Sequence, residues 1–210
     1  MGIILDNMTE GLDYCWVDLP SGGEPYPCKK NKIPIRFMTA KDEDLIYSDS
    51  PLFIGVRLAN ACLLDDSIKC EEMCTGDIDA IALALYRNAY KEDALEKTNG
   101  WQNNGVPLLS DEDGLYEYIF PDKTVARYRF PTYSDIESTR KNKSRDVDFD
   151  FLSKIIVSYK DNPVTLDILR SLPEQYLVKF TRFVFFTEPS IVDEQGQRMV
   201  VNSLFFTTKI

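Results

Sequence analysis

The spacing of apolar residues predicts helices in several parts of this chain. Between Ile78 and Tyr90 the apolar side chains recur every three or four residues, which is typical of a helix with one buried face. Two further helical stretches are predicted to open at prolines, one at Pro51 and one at Pro173, because proline suits the first turn of a helix. The pattern therefore predicts a chain rich in amphipathic helices.

Other apolar runs alternate with polar residues and predict β-strands. Residues 115–120 and 124–130 are rich in aromatic and β-branched side chains, and a proline-containing turn separates them, so we predict a β-hairpin. Residues 33–37 form a shorter predicted strand, in which Pro34 favours an edge position. Near the end of the chain, residues 196–208 are predicted to form a closing pair of strands.

Two segments of the chain resemble each other. The sequence from Arg129 to Asp135 matches that from Arg36 to Asp42 at its Arg, Phe, Thr and Asp positions. In both segments a predicted strand runs into a Thr-x-x-Asp pattern, which predicts a capped helix start at Thr39 and at Thr132. A repeat of this kind indicates that one strand-plus-helix unit is used twice. Chance is the alternative, because threonine-capped junctions are common.

We therefore predict an α+β fold with two related units, each a strand or hairpin followed by helices, packed together and closed by a C-terminal β element. The first predicted unit, residues 1–98, holds a loop, short strands and three helices. The segment 99–113 is predicted to be a linker because it is rich in Asn, Gly, Ser and acidic residues. The second predicted unit, residues 114–210, holds the β-hairpin, helices and closing strands.

The charge of the chain argues against a nucleic acid partner, and its hydropathy argues against a membrane partner. A net charge of −10 over 210 residues opposes binding to phosphate backbones, which requires clustered Lys and Arg. No apolar run approaches the roughly 20 residues of a membrane span, and the first residues lack the pattern of a signal peptide. We therefore expect the chain to stay first in a cytosol.

Few residues could support catalysis. The chain has no histidine, so it lacks the commonest general base near neutral pH. Its five cysteines are irregularly spaced, which predicts reduced thiols rather than disulfides. Cys70 and Cys74 lie one helical turn apart, but no histidine is present to complete a zinc site. We predict no catalytic, cofactor-binding or metal-binding residues.

One acidic cluster leaves an enzymatic alternative open. Asp146, Asp148 and Asp150 alternate with apolar residues and could hold a divalent metal in a nuclease or hydrolase. Their spacing does not match a calcium-binding loop. The favoured interpretation is that they open a helix, where negative charge stabilises the amino-terminal end.

Several motifs together resemble the baseplate hub and hub assembly proteins of T4-like phage tails. These are the loop from Leu19 to Gly23, the segment from Met38 to Leu45, and Gly76-Asp77 at a helix start. In the second half, Leu172-Pro173 and the paired Phe205-Phe206 extend the resemblance. This chain departs from many of those proteins because it has no Cys-x-x-Cys pair in its second half. No zinc ribbon is therefore carried over.

The resemblance implies a non-enzymatic protein that docks to other tail or baseplate proteins. It would be part of a symmetric hetero-oligomer in the virion tail, assembled in the host cytoplasm. A tail-assembly chaperone that is released afterwards is the alternative. The predicted interface residues are apolar or aromatic side chains of a loop, a helix and the tail: Leu19, Pro20, Tyr26, Phe183, Phe185, Phe186, Phe205 and Phe206.

Overall fold

The computed structural model describes residues 13–47, 53–90, 98–102, 109–110, 113–141, 147–188 and 190–193. Within these ranges the chain has an α+β fold, as predicted. The helices are α1 (Ile54–Cys62), α2 (Thr75–Tyr90), α3 (Tyr133–Lys141), α4 (Val147–Ile155), α5 (Leu166–Ser171) and α6 (Glu174–Thr187). Two 3-10 turns lie at Asp42–Leu45 and Cys70–Glu72. None of the described helices has the length and apolarity needed to cross a membrane.

The strands form antiparallel sheets. They are β1 (Tyr14–Asp18), β2 (Lys32–Arg36), β3 (Thr98–Gln102), β4 (Leu109–Ser110), β5 (Leu115–Ile119), β6 (Val125–Tyr128), β7 (Ile156–Tyr159), β8 (Asn162–Pro163) and β9 (Ser190–Asp193). In the described residues β1 pairs with β2, β3 pairs with β9, and the largest sheet has the order β4-β5-β6-β7-β8. The predicted hairpin is confirmed as β5 and β6.

The two matching sequence segments form the same ion pair at the end of a strand. Arg36 donates two hydrogen bonds to the carboxylate of Asp42, at 2.7 and 2.9 Å. Arg129 makes the same pair of bonds to Asp135, at 2.7 and 2.8 Å. We call each arrangement an Arg–Asp clasp. The clasp fixes the path of the chain where it leaves the sheet.

Threonine completes each clasp in the same way. The backbone N–H and the hydroxyl of Thr39 both donate to Asp42, at 2.8 Å each. The same groups of Thr132 donate to Asp135, at 2.8 and 3.0 Å. The matching residues thus have matching roles, and the sequence repeat is a repeat of local structure.

The two copies differ in the helix that follows. The hydroxyl of Thr132 also accepts the backbone N–H of Asp135 at 3.3 Å, so the predicted N-cap of α3 is confirmed. After Thr39 the chain makes only the 3-10 turn Asp42–Leu45, whose first residues receive no side-chain cap. The predicted helix cap at Thr39 is therefore wrong, because the chain makes a 3-10 turn there instead of an α-helix and this turn has no side-chain cap hydrogen bond.

The next helix keeps the same spacing in both units. Helix α1 runs from Ile54 to Cys62, and α4 runs from Val147 to Ile155. Each end of α4 therefore follows the matching end of α1 by the same number of residues by which the second clasp follows the first. The chain then returns to the second strand of the hairpin in each unit. Leu63 forms a bridge with Ile35, and the next strand of the second unit, β7, pairs with β6 at the equivalent position. The repeat therefore extends over hairpin, clasp, helix and returning strand.

Two hydrophobic clusters form the interior. One is built from β1, β2, α1 and α2, and it also contains Tyr133 from the second half. The other is built from the five-stranded sheet, α4 and α6, and it also contains Cys74 from the first half. Each unit thus contributes one residue to the interior of the other.

The predicted domain boundaries stay predictions. The segment between the two units contains β-strands. Residues 98–102, which begin one residue before the predicted linker 99–113, form β3 and pair with β9. Residues 109–110, within that linker, form β4 at the edge of the large sheet. The predicted closing strands at 196–208 lie outside the described residues.

Candidate docking surface

A buried carboxylate holds the first loop against the start of α2. Asp77 has no solvent exposure and accepts the backbone N–H of Ser21 at 2.9 Å and its hydroxyl at 2.5 Å. Tyr26 donates its hydroxyl to the same carboxylate at 2.5 Å, and that hydroxyl accepts the N–H of Cys74 at 3.0 Å. Burial raises the pKa of Asp77, although these donors offset part of the effect. The loop is therefore a fixed part of the first unit.

This arrangement changes the interpretation of three predicted interface residues. Leu19 and Tyr26 are each only 4% exposed and belong to the first hydrophobic cluster. Pro20 is half-buried at the loop turn. A loop rich in proline and glycine ordinarily lies at the surface, but here the apolar side chains of Leu19 and Tyr26 turn inward.

The start of α2 also carries the junction with the second unit. The backbone N–H of Thr75 donates to the carbonyl of Pro131 at 3.3 Å, and its hydroxyl donates to the buried carboxylate of Glu188. Tyr133 donates its hydroxyl to Asp79 at 3.2 Å. The buried acids near this helix start thus have donors within the protein, which is the arrangement of a structural junction.

Among the described residues, no group of three or more Cys, Asp or Glu side chains could hold a metal ion. Helix α4 begins at Val147, so the predicted helix start at the acidic cluster is confirmed. Asp146 and the side chain of Asp148 lie outside the description. Positions 148 and 150 are two residues apart on the helix, about 200° around its axis, which places them on different faces.

The cysteines are free thiols, as predicted. Cys62, Cys70 and Cys74 are buried, and burial raises the pKa of Cys62 to about 11 and that of Cys70 to about 12. Because the thiolate is the reactive form, these two thiols are poor nucleophiles at neutral pH.

An apolar groove of about 760 Å³ opens between α4, α5 and α6. We call it the aromatic groove, and its lining residues are Phe149, Phe151, Leu152, Arg170, Leu172, Glu174, Leu177, Val178, Thr181, Arg182 and Phe185. Leu152 and Leu177 are buried at its floor. The rings of Phe151 and Phe185 stack nearly parallel, with centroids 6.3 Å apart. The groove therefore has a hydrophobic floor and an aromatic wall.

The rim of the groove is open to solvent and carries positive charge. Phe185 is 46% exposed and Val178 is 42% exposed, so two large apolar side chains of the groove lining are open to solvent. Arg170 and Arg182 are exposed beside them, with Glu174 as the acid of the lining. Exposed apolar surface with a polar rim is typical of a protein-protein contact.

The predicted aromatic residues of α6 fall in different surroundings. Phe185 lines the groove, whereas Phe186, 60% exposed, lies on the same helix outside its lining. Phe183 is half-buried, and its ring lies 5.0 Å from that of Tyr118 inside the second unit. Phe205 and Phe206 lie outside the described residues.

The groove residues of α4 were not predicted from the sequence. Phe149 lies between Asp148 and Asp150, and Phe151 follows Asp150, so this apolar pair is interleaved with the acidic cluster. The sequence could have indicated them, because a helix with apolar residues on more than one face must either bury the additional apolar side chains or expose them to solvent.

The fold and the groove define an α+β protein with an exposed aromatic surface. No family model, curated protein or solved structure matches the chain.

Proposed function

We propose that this chain is a non-enzymatic structural or assembly component of a phage tail baseplate hub. It works by docking to another subunit of the tail through the aromatic groove, without nucleic acid or membrane as partner. Its place is the virion tail, after assembly in the host cytoplasm. The observation that supports docking most directly is the exposure of Phe185 and Val178 beside the two arginines of the rim.

The chemistry of the groove indicates what it would bind. Aromatic side chains and arginine are enriched among residues that dominate protein-protein binding energy. Arg170 and Arg182 favour a partner that carries acidic side chains next to an apolar segment. The proposed partner surface is therefore apolar at its centre and acidic at its edge.

Two features favour docking over the metal-dependent nuclease or hydrolase. The buried acids Asp77, Asp79 and Glu188 accept hydrogen bonds from neighbouring residues of the chain. The helix α4 separates positions 148 and 150 around its axis, whereas a metal site requires converging carboxylates.

Quantitative mass spectrometry of virions from a phage that encodes this chain tests its place in the particle. We expect a fixed ratio to a known baseplate subunit, in a small multiple of three or six. Presence in infected-cell lysate with absence from virions would instead support the released chaperone. Divalent-metal-dependent nuclease activity that is lost in Asp150→Asn would overturn the non-enzymatic proposal.

A pair of variants tests the groove itself. Phe185→Ser removes an aromatic side chain from the lining, and Phe186→Ser is the matched control on the adjacent residue outside it. In a phage that lacks its own copy, we expect the Phe185→Ser protein to give fewer infectious particles than the Phe186→Ser protein, because a loss of about 1.4 kcal/mol of binding weakens docking about tenfold. Equal yields with both variants would contradict docking through the groove.

A further inference from the structure

Tyr133 and the residue that matches it in the first unit differ in their contacts. Tyr133 of the second unit is 7% exposed within the first hydrophobic cluster, where its ring lies 6.2 Å from that of Phe53 and its hydroxyl reaches Asp79. The residue that matches Tyr133 in the first unit is Ala40, one position after Thr39, and it is exposed. The turn after the second clasp thus inserts into the first unit, whereas the turn after the first clasp does not insert into the second. Cys74, the first unit's residue in the second cluster, lies outside that turn, just before α2.

A contact in which two like units use different surfaces is heterologous. Each unit then keeps one of the two surfaces unused, so the pair ends in an unused inserting surface on one unit and an unused receiving surface on the other. The inserting surface is the clasp corner, which we define as the residues from the clasp arginine to the end of the following turn. In the second unit the corner packs against the first unit of the same chain. In the first unit the corner, residues 36–45, is left at the surface with Thr39, Ala40 and Lys41 exposed.

The surface that receives the corner in the first unit consists of three elements. These are the start of α1 at Phe53, the start of α2 at Thr75 and Asp79, and the 3-10 turn Cys70–Glu72, which α3 contacts. In the second unit α4 is the counterpart of α1, α5 is the counterpart of the 3-10 turn, and α6 is the counterpart of α2. These three helices are the ones that form the aromatic groove.

The first residues of the two helices set the register of this comparison, because α2 begins at Thr75 and α6 begins at Glu174. The buried positions agree with this register. Ile78, Ile81 and Leu85 are buried in α2 with the same spacing as Leu177, Phe180 and Val184 in α6. In that register Asp79, which receives Tyr133, corresponds to Val178 of the groove.

Residues that are covered in the first unit are open in the second. In the same register Tyr86, 1% exposed, corresponds to Phe185, 46% exposed. On the other wall, Leu58 has no exposure, whereas its counterpart Phe151 is partly exposed in the groove. The two α2 residues that bind the corner, Thr75 and Asp79, correspond to Glu174 and Val178, which both line the groove. The aromatic groove is therefore the second unit's version of the surface that takes a clasp corner in the first unit.

We propose that the aromatic groove binds the first clasp corner, residues 36–45, of a second copy of this chain. The contact would repeat, between chains, the arrangement that joins the two units within one chain. Charge supports this occupant, because the corner exposes Glu43 and Asp44 and the groove rim carries Arg170 and Arg182. A heterologous contact of this kind builds a ring or an open chain of copies. The proposal names the partner of the docking surface and so rests on the proposed function.

Sedimentation velocity over a range of protein concentrations tests this association. For the full chain we expect the average mass to rise above 24.1 kDa as the concentration increases. Arg170→Glu with Arg182→Glu should weaken association about tenfold or more, since like charges at a contact cost several kcal/mol. Lys179→Glu is the matched control, because it reverses an exposed positive charge of α6 outside the groove lining.

A charge swap makes the test specific to the proposed pair of surfaces. Glu43→Arg with Asp44→Arg should also weaken association, and mixing this variant with the arginine-reversed variant should restore it. Circular dichroism and thermal unfolding confirm that each variant is folded. Self-association that is insensitive to either reversal, or not restored by mixing, overturns the proposal.

A single species of 24.1 kDa at every concentration also overturns it. In that case the phage assay with Phe185→Ser decides the wider question. Loss of infectious particles would retain the docking function with a different protein or chain segment as occupant, whereas unchanged yield would remove the docking function as well.

Discussion

Each clasp joins an arginine to an aspartate six positions later and gives the carboxylate three kinds of donor. Hydrogen bonds from the Arg36 guanidinium hold the pKa of Asp42 well below its usual range, although burial opposes this. Burial also raises the pKa of Asp135, but Arg129 and Thr132 outweigh it and the net pKa is lowered. Both clasps thus contribute stability above a pH of about 4, and this stability is lost as the pH falls through the lowered pKa values.

Asp77 responds to pH in the opposite direction. Its pKa is raised in the folded state because of burial, so its contribution is present below the unfolded pKa of about 4 and is lost as the pH rises through the folded pKa. We predict that Asp77→Asn gains stability relative to the parent protein between pH 4 and pH 8, by about 1.4 kcal/mol for each unit by which the pKa is raised. Urea unfolding at several pH values measures this.

Asp42→Asn is the comparison, because its lowered pKa predicts the opposite trend, with the largest loss at neutral pH and little loss in acid. If the change in the free energy of unfolding depended on pH in the same way for both variants, burial would not disfavour the charged form of Asp77, and the prediction would be wrong.

The residues of the clasps could be identified from the sequence, but the ion pair between arginine and aspartate could not. The repeated Arg, Phe, Thr and Asp were visible, and the Thr-x-x-Asp pattern predicted a cap. The pairing of Arg36 with Asp42 depends on the turn of the chain after β2, which no local pattern specifies. The inward position of Tyr26 was missed for a similar reason, since its partner Asp77 lies far away in the sequence.

At the scale of elements, the two threonines should differ in their contribution. Thr132 accepts the N–H of Asp135 and caps α3, so Thr132→Ala should lower the free energy of unfolding by about 1–2 kcal/mol. Thr39 donates its hydroxyl to Asp42 and caps no helix, so Thr39→Ala should cost less than about 1 kcal/mol. Denaturant unfolding of the two variants measures the difference, and equal losses would contradict it.

The elements with a strong period were predictable. Helix α2 and the β5-β6 hairpin follow from apolar spacing and turn residues alone. The strands β3 and β4 were not predicted, because their sequences are polar and their stability comes from pairing with β9 and β5. The exposed wall of the aromatic groove was also missed, since the same apolar spacing describes a buried face and a docking face.

At the scale of the whole molecule, Tyr133 is the main apolar link from the second unit to the first. Tyr133→Ala should destabilise the protein by about 3–4 kcal/mol, because it leaves a cavity beside Phe53 and removes a donor from the buried Asp79. Ala40→Ser at the matching exposed position should change stability by less than about 0.5 kcal/mol. Thermal unfolding measures both, and similar effects would contradict the difference between the two turns.

The contact that Tyr133 makes with the first unit also sets an order of events during synthesis. Each clasp closes between residues six apart, so it can form as soon as its own strand has been made. The start of α2 waits much longer, because Tyr133 lies 54 positions after Asp79 and Glu188 lies 113 positions after Thr75. Until those residues emerge from the ribosome, the receiving surface of the first unit is uncovered. A clasp corner from a neighbouring nascent chain has the same Arg, Thr and Asp, so crowded translation of this gene would favour swapped assemblies that rapid completion of the chain prevents.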